Sequence, residues 1–245
     1  MSEDILTAEP IQQKQDQELV TFSRAGFLDG MKKALPLAAG GSAFGLVYGM
    51  LAGQAHLSLL EVILTSGLVS AGSSQLIVLS MWSLPLAVWP IIFTTLLVNS
   101  RHILMGVALS PWFKRLPPLL LYPLLHFMDD ESWALTINEF VQGKRDAAFL
   151  FGSGVVMVLS WITSTALGRI LGGGISDPAR WGLDFLTTAV FIALLAGFWK
   201  GKGDLFPWGV AAVVAVVSAH FLPGKWYILL GALAGSLVGG VRNGD

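Results

Sequence analysis

Long apolar stretches separated by short polar segments run along most of the chain. Residues 62–100, 147–168, 205–224 and 226–241 contain no Asp, Glu, Lys or Arg. About 20 consecutive apolar residues span a bilayer as an α-helix. A soluble fold cannot hide this much apolar surface, because its outer face must be wetted. The pattern therefore predicts membrane-spanning helices.

The apolar blocks between polar breaks predict eight spans, or seven if the fourth block does not cross. In chain order the blocks are 34–53, 59–81, 85–109, 116–138, 147–170, 183–199, 205–222 and 226–241. As one helix, residues 62–100 would be about twice as long as the bilayer core is thick. We expect a break at Trp82–Pro85, because proline ends or opens helices.

The fourth block is the weakest, because it has three prolines at its start and three acidic residues near its middle. The predicted fold class is an all-α polytopic membrane protein with seven to eight transmembrane helices, at least one of them discontinuous. We predict a polar cytoplasmic tail at 1–33, a single transmembrane domain at 34–241 and a short tail at 242–245. Lysine and arginine are more frequent in the loops on the side of the membrane that holds the N-terminus than in the loops on the opposite side. This distribution favours a cytoplasmic N-terminus.

Composition narrows the function further. Apolar residues make up 54% of the 245 residues and charged residues 13%, against roughly 25% charged in soluble domains. This excludes a soluble enzyme, a nucleic-acid-binding protein and a secreted scaffold. The net charge of -1 implies no acidic or basic partner, and the absence of cysteine rules out disulfides and cysteine metal sites.

Local patterns indicate how the helices begin and pack. Ser58 and Glu61 have the spacing of a capping box that opens the second span. Glycines recur every fourth residue in the first and last spans, which allows close helix packing, although a flexible gate or a partner interface is an alternative. These glycines are Gly41, Gly45, Gly49, Gly53, Gly231, Gly235 and Gly239.

A first polar cluster lies in the second span. Gly72, Ser73, Ser74 and Gln75 follow one another there. Glycine flanked by small hydroxyls weakens a helix, and an opened helix exposes backbone groups that transporters use to bind a carboxylate or an ion. Hydrogen bonding between helices is an equally good interpretation of the same residues.

A second cluster, Asn99-Ser-Arg-His102, lies deep in the third span. Arg101 cannot lose its proton, so within a membrane it must be paired or wetted. His102 changes charge near neutral pH. We interpret this cluster as functional, since ionisable residues inside membranes are costly. The alternative is that Arg101 reaches an interface from a helix end.

The third cluster is acidic. His126, Asp129 and Asp130 have the spacing of one helix face, and Glu131 follows. One carboxylate is a natural counter-ion for Arg101, and another can carry a proton because burial raises a carboxyl pKa. A surface loop is the alternative. A metal site formed by His126 and the two aspartates is less favoured, because its spacing is common in helices.

These residues resemble the AzlC family, the large subunit of bacterial branched-chain amino acid exporters. The resemblance covers 25–241 and rests on Ser58-Leu-Leu-Glu61, Ala71-Gly-Ser-Ser-Gln75, Asn99-Ser-Arg-His102, the Asp130–Glu131 pair and Phe191-Ile-Ala-Leu-Leu. The chain departs from the family in lacking a proline at Leu186-Thr-Thr-Ala-Val and in the additional Asp129. The first departure puts a second broken helix in doubt, and the second leaves open which carboxylate matches which.

The resemblance implies export of leucine, isoleucine, valine and methionine or analogues across the bacterial inner membrane. It also implies a small AzlD-like membrane subunit as partner, with no cofactor. In that interpretation Gly72, Ser73, Ser74, Gln75 and Asn99 bind the substrate. Ion pairing and proton coupling then fall to Arg101, His102, Asp129, Asp130 and Glu131.

Other functions remain open from the sequence. An uptake carrier or a small-solute channel would also have several apolar spans with polar residues inside the membrane. An intramembrane hydrolase would need a nucleophile with a positioned base, such as Ser73 or Ser74 with His102. The sequence contains no Gly-x-Ser-Gly motif and no His-Glu-x-x-His motif, which makes the hydrolase a remote alternative.

Overall fold

The computed structural model describes residues 20–69, 71–113, 116–173, 201–222 and 226–242, and single positions at 185, 189, 192, 196 and 199. Across these ranges the backbone is helical apart from short connections and one isolated bridge between Thr21 and Asp146. The protein is therefore an all-α membrane protein. The helices are α1 (Arg24–Gln54), α2 (Leu59–Val69), α3 (Gly72–Ser80), α4 (Val88–Asn99), α5 (Arg101–Phe113), α6 (Pro118–His126), α7 (Asp130–Val141), α8 (Ala148–Gly172), α9 (Leu205–Phe221) and α10 (Trp226–Arg242).

Several predicted spans are discontinuous helices. The second span consists of α2, which ends at Val69, and α3, which begins at Gly72, with Ala71 before α3 outside a helix. The predicted break after it is confirmed, since α3 ends at Ser80 and α4 begins at Val88. The third span consists of α4 and α5, which are nearly continuous, because Ser100 between them keeps α-helical dihedral angles (φ -58°, ψ -23°). The fourth span, predicted at 116–138, takes in α6 and most of α7, which are separated at residues 127–129.

Four segments are long and apolar enough to cross a membrane by length and composition within the described ranges. They are Arg24–Gln54, Val88–Phe113, Ala148–Gly172 and Lys202–Phe221. The predicted span at 183–199 lies almost wholly outside the described residues, as do residues 1–19 of the predicted tail. The count of seven to eight spans and the tail boundaries therefore stay predictions.

The Cα positions form two compact units. The first unit comprises Met1–Gly41 and His102–Ser160, and its main core lies between α5, α6, α7 and the start of α8. Fully buried Leu109, Leu124 and Leu150 belong to this core. Trp133 on α7 donates from its indole nitrogen to the Met105 carbonyl oxygen at 3.2 Å, which ties α7 to α5.

Charged side chains hold the start of α1 and the 142–147 loop of the first unit. Glu139 accepts hydrogen bonds from Lys33 at 2.8 Å and from Lys144 at 2.6 Å. Asp146 accepts from the backbone nitrogen of Ser23 at 3.1 Å and from its hydroxyl, and also from the Ala148 backbone nitrogen at 3.0 Å. One carboxylate therefore fixes the residues before α1 and the first turn of α8 together.

The second unit comprises Ser42–Arg101 and Trp161–Asp245, and its described part is held by close helix packing. A Cβ added to Gly49 on α1 would meet the Thr165 carbonyl oxygen of α8, and one added to Gly45 would meet the Ser164 side chain. Gly231 and Gly235 of α10 contact Ala211 of α9 in the same way. The predicted role of these glycines in packing is confirmed at these positions.

Candidate functional site

The break in the second span creates an irregular backbone within the predicted first cluster. Helix α2 ends at Val69, Ala71 has non-helical dihedral angles (φ -141°, ψ 88°), and α3 begins at Gly72. Ala71 has no side-chain oxygen that could cap α3. The first N–H groups of a helix have no partner within it, and its N-terminus attracts negative charge. The opening predicted beside Gly72 is present.

Ser73 and Arg101 meet in the second unit. Arg101, the first residue of α5, donates from Nη2 to the Ser73 hydroxyl oxygen at 2.9 Å. Both side chains are half-buried. This hydrogen bond brings the guanidinium of the second polar cluster to the first turn of α3. A permanent positive charge and a helix N-terminus at one place together favour an anion.

Gln75 is the most deeply buried amide of this group, with 5% of its surface exposed. Its Oε1 accepts a hydrogen bond from the indole nitrogen of Trp161 on α8 at 2.9 Å. The Trp161 ring also lies against Gly72, where an added Cβ would be 2.7 Å from Cη2. Its other neighbour is Tyr48, with ring centroids 6.1 Å apart.

Neither Trp161 nor Tyr48 is among the site residues predicted from the sequence. The only signal was that Trp161 is the sole tryptophan in the charge-free stretch 147–168, away from the block ends where interfacial tryptophans occur. Ser74, in contrast, was predicted as a ligand but bonds internally, since its hydroxyl donates to the Ala71 carbonyl oxygen at 3.0 Å.

The acidic cluster has a different local structure from the predicted one. Helix α6 ends at His126, and Asp129 is extended (φ -115°, ψ 179°) as the N-cap of α7. The prediction that His126, Asp129 and Asp130 share one helix face is therefore wrong, because the chain leaves the helix between them. Within the described ranges, no group of three His, Cys, Asp or Glu side chains could hold a metal ion.

Asp129 forms a capping box with Ser132. Asp129 Oδ1 accepts from the Ser132 backbone nitrogen at 2.7 Å, and the Asp129 backbone nitrogen donates to the Ser132 hydroxyl at 3.0 Å. Asp130 and Glu131 occupy the first turn of α7, where carboxylates interact favourably with the helix dipole. Asp129 thus has a structural function in addition to any role in coupling.

The predicted site residues are divided between the two units. Gly72, Ser73, Ser74, Gln75, Asn99 and Arg101 belong to the second unit, and His102, Asp129, Asp130 and Glu131 belong to the first. Asn99 ends α4 and His102 follows Arg101 in α5, and both are half-buried. The ion pair between Arg101 and a carboxylate stays a prediction.

Known proteins similar to this chain are named as transport proteins or as membrane proteins. The AzlC protein family model matches residues 36–175. The branched-chain amino acid transport protein AzlC of Bacillus subtilis (strain 168) is 26% identical over 211 residues, covering 86% of this chain and 82% of the relative. The inner membrane protein YgaZ of Escherichia coli (strain K12) is 26% identical over 220 residues, covering 87% and 89%.

An uncharacterized membrane protein of Helicobacter pylori (strain J99) is 28% identical over 210 residues, covering 83% of this chain and 91% of the relative. No solved structure matches the chain significantly. The matched family segment covers more than half of the chain and includes the break at Gly72, the Ser73–Arg101 contact, Trp161 and the acidic cluster. The chain belongs to the AzlC family, a family of membrane transport proteins and not of enzymes.

Proposed function

We propose that the protein is a secondary transporter that exports leucine, isoleucine and valine, with methionine as a further substrate. The observation that carries this proposal is the hydrogen bond from Arg101 to Ser73 at the start of α3. It brings a guanidinium to the first turn of α3, within residues 62–100, which contain no charged side chain of their own. The name of the Bacillus subtilis relative supports the substrate class.

In this proposal the substrate carboxylate binds at the start of α3. The N–H groups of Gly72 and Ser73 and the Gln75 side chain supply donors, and Asn99 contributes an amide. Broken helices in transporters bind carboxylates through such half-helix N-termini. Apolar side chains nearby, such as the buried Leu76, suit an aliphatic side chain. Ser74 then supports the backbone through its bond to Ala71.

Coupling to protons is assigned to Arg101, His102, Asp129, Asp130 and Glu131. A carboxylate that alternates between pairing with Arg101 and carrying a proton would link proton uptake to substrate exit. Asp130 is the preferred candidate, because Asp129 is engaged in the cap of α7. One of the acidic residues would also accept the substrate ammonium group.

We further propose that the protein lies in the bacterial inner membrane with a cytoplasmic N-terminus and works with a small AzlD-like membrane subunit. The convergence of Lys33 and Lys144 on Glu139 supports a common membrane side for these two lysines. With eight spans and a cytoplasmic N-terminus, the blocks predicted from the sequence put both lysines on the cytoplasmic side. The name of the Escherichia coli relative supports an inner-membrane location.

Leucine efflux tests the proposal. Cells expressing the chain with and without the small subunit are loaded with labelled leucine, and efflux is followed at several external pH values. We expect efflux only with both subunits, and a pH dependence that disappears in Asp130→Asn. Efflux with unchanged pH dependence in Asp130→Asn would overturn the coupling scheme, whereas accumulation of leucine from outside would indicate an uptake carrier.

Counterflow in vesicles distinguishes a carrier from a channel. Vesicles containing the protein and its partner are loaded with unlabelled leucine and diluted into labelled leucine. A carrier gives transient accumulation of label above equilibrium. Its binding site carries unlabelled leucine out of the vesicle and returns inward with labelled leucine. Simple equilibration without an overshoot would support the channel and contradict a secondary transporter.

A further inference from the structure

The hydrogen bond between Trp161 and Gln75 fixes which end of the Gln75 amide faces the indole. The indole nitrogen is a donor only, so its partner at 2.9 Å must be the amide oxygen. The amide NH₂ group consequently points away from Trp161. Gln75 Nε2 is buried and forms no hydrogen bond of normal geometry within the described part of the chain, and its nearest recorded polar neighbour is the Tyr48 hydroxyl.

A buried donor without a partner is costly in an apolar environment. The free group is an NH₂ and not a carbonyl, so the ligand atom that satisfies it must be an acceptor. Arg101 adds a permanent positive charge at the first turn of α3, because it donates to Ser73. A carboxylate offers two acceptor oxygens and no donor to the Gln75 NH₂ group, whereas a carboxamide offers one acceptor oxygen and has an NH₂ group of its own.

The surroundings of Trp161 hold its ring in this place. Gly72 leaves room for the ring, since a Cβ there would be 2.7 Å from Cη2. Tyr48 stacks on it with an interplanar angle of 28° and bonds to Thr65 through its hydroxyl at 3.2 Å. The glycine at position 72 therefore serves two purposes, since it both opens the span and admits the indole.

We infer that Trp161 is a positioning residue that holds the Gln75 amide with its NH₂ group free, so that the site selects a substrate by its carboxylate. This inference rests on the proposed function, in which Gln75 binds the substrate. Without the indole donor the amide can rotate and present its oxygen, which repels a carboxylate and accepts the NH₂ of a carboxamide.

Equilibrium binding to the full chain in nanodiscs, with the small subunit present, tests the inference. Labelled leucine is the probe, and leucinamide, which carries a carboxamide in place of the carboxylate, is the competitor. We expect Trp161→Phe to weaken leucine binding about tenfold and to leave leucinamide binding nearly unchanged. The preference for leucine then falls by about the same factor. Trp89→Phe is the matched control, because Trp89 is 64% exposed.

A second variant distinguishes loss of the indole N–H donor from misfolding of Trp161→Phe. Benzothienylalanine incorporated at position 161 keeps the bicyclic ring and replaces the N–H by sulfur, so it removes only the donor. We expect the same loss of preference as in Trp161→Phe. Equal weakening of leucine and leucinamide in both variants would show a merely structural role and overturn the inference. Unchanged leucine binding would overturn it too, while the proposed function would stand. If the unaltered protein binds neither compound, both are wrong.

Discussion

At the level of single residues, short-range patterns could be predicted and long-range contacts could not. The capping box of Ser58 and Glu61 is confirmed, with Glu61 Oε2 accepting from the Ser58 backbone nitrogen at 2.7 Å and the Glu61 nitrogen donating to the Ser58 hydroxyl at 3.2 Å. Its two partners are three residues apart, so their spacing is visible in the sequence. Trp161 and Gln75 are 86 residues apart, and no local pattern connects them.

Glu139 gives a residue-scale prediction about pH. It lies beyond the fourth predicted span. Although burial raises the pKa of its carboxyl group, hydrogen bonds from Lys144 and Lys33 outweigh burial and hold that pKa below its usual value of 4.5. A lowered pKa in the folded state contributes stability that is present above the usual value and is lost as the pH falls through the folded pKa.

We therefore expect thermal unfolding of the detergent-solubilised protein to shift to lower temperature as the pH falls below about 4.5. Glu139→Gln should be less stable at neutral pH, because two lysines lose their counter-ion, and its unfolding temperature should change less over the acidic range. Parallel pH profiles for the two proteins would contradict this assignment.

At the level of elements, prolines and glycines predicted where helices break, but they did not predict the backbone conformation at each break. Trp82–Pro85 marks a break as expected. In the fourth block the three prolines and the acidic run pointed to a weak span, yet the turn at residues 127–129 could not be foreseen. The spacing of His126, Asp129 and Asp130 is compatible with a helix, and the preference of Asp129 for an N-cap decided against one.

Gly49 provides a prediction at this scale. A Cβ there would meet the Thr165 carbonyl oxygen, which is backbone and cannot move without displacing α8. Gly49→Ala should therefore destabilise the protein by about 1–3 kcal/mol, the usual cost of overpacking. Gly40→Ala on the same helix is the control, because in the described part of the chain its added Cβ has no atom within 4 Å other than the neighbouring backbone of its own helix. Equal unfolding temperatures for the two variants would contradict close packing at Gly49.

At the level of the whole molecule, the apolar exterior agrees with the composition. Leu68, Leu104 and Val216 expose 73%, 72% and 71% of their surface. Such side chains over much of a protein would cause aggregation in water, and in a membrane they face lipid. Composition was sufficient to predict this surface. It was insufficient to predict the number of spans, because several apolar blocks are divided into helices too short to cross alone.

The orientation can be tested directly, because the chain contains no cysteine. Single cysteines are introduced by Gln142→Cys and Leu222→Cys, both at exposed positions just after a helix. With a cytoplasmic N-terminus, a membrane-impermeant maleimide applied to intact spheroplasts should label Leu222→Cys and not Gln142→Cys. Lysed membranes should show labelling of both. The reverse pattern in intact spheroplasts would show that the N-terminus is outside.

The hydrogen bonds that Ser23 donates to Asp146 join residues that are 123 positions apart. A ribosome delivers Ser23 long before Asp146, and chains acquire structure from the N-terminus during synthesis. The beginning of α1 must consequently wait, without this anchor, while more than a hundred further residues are translated and inserted. The amino-terminal segment can therefore be fixed in place only after residue 146 has been synthesised, when more than half of the 245 residues are present.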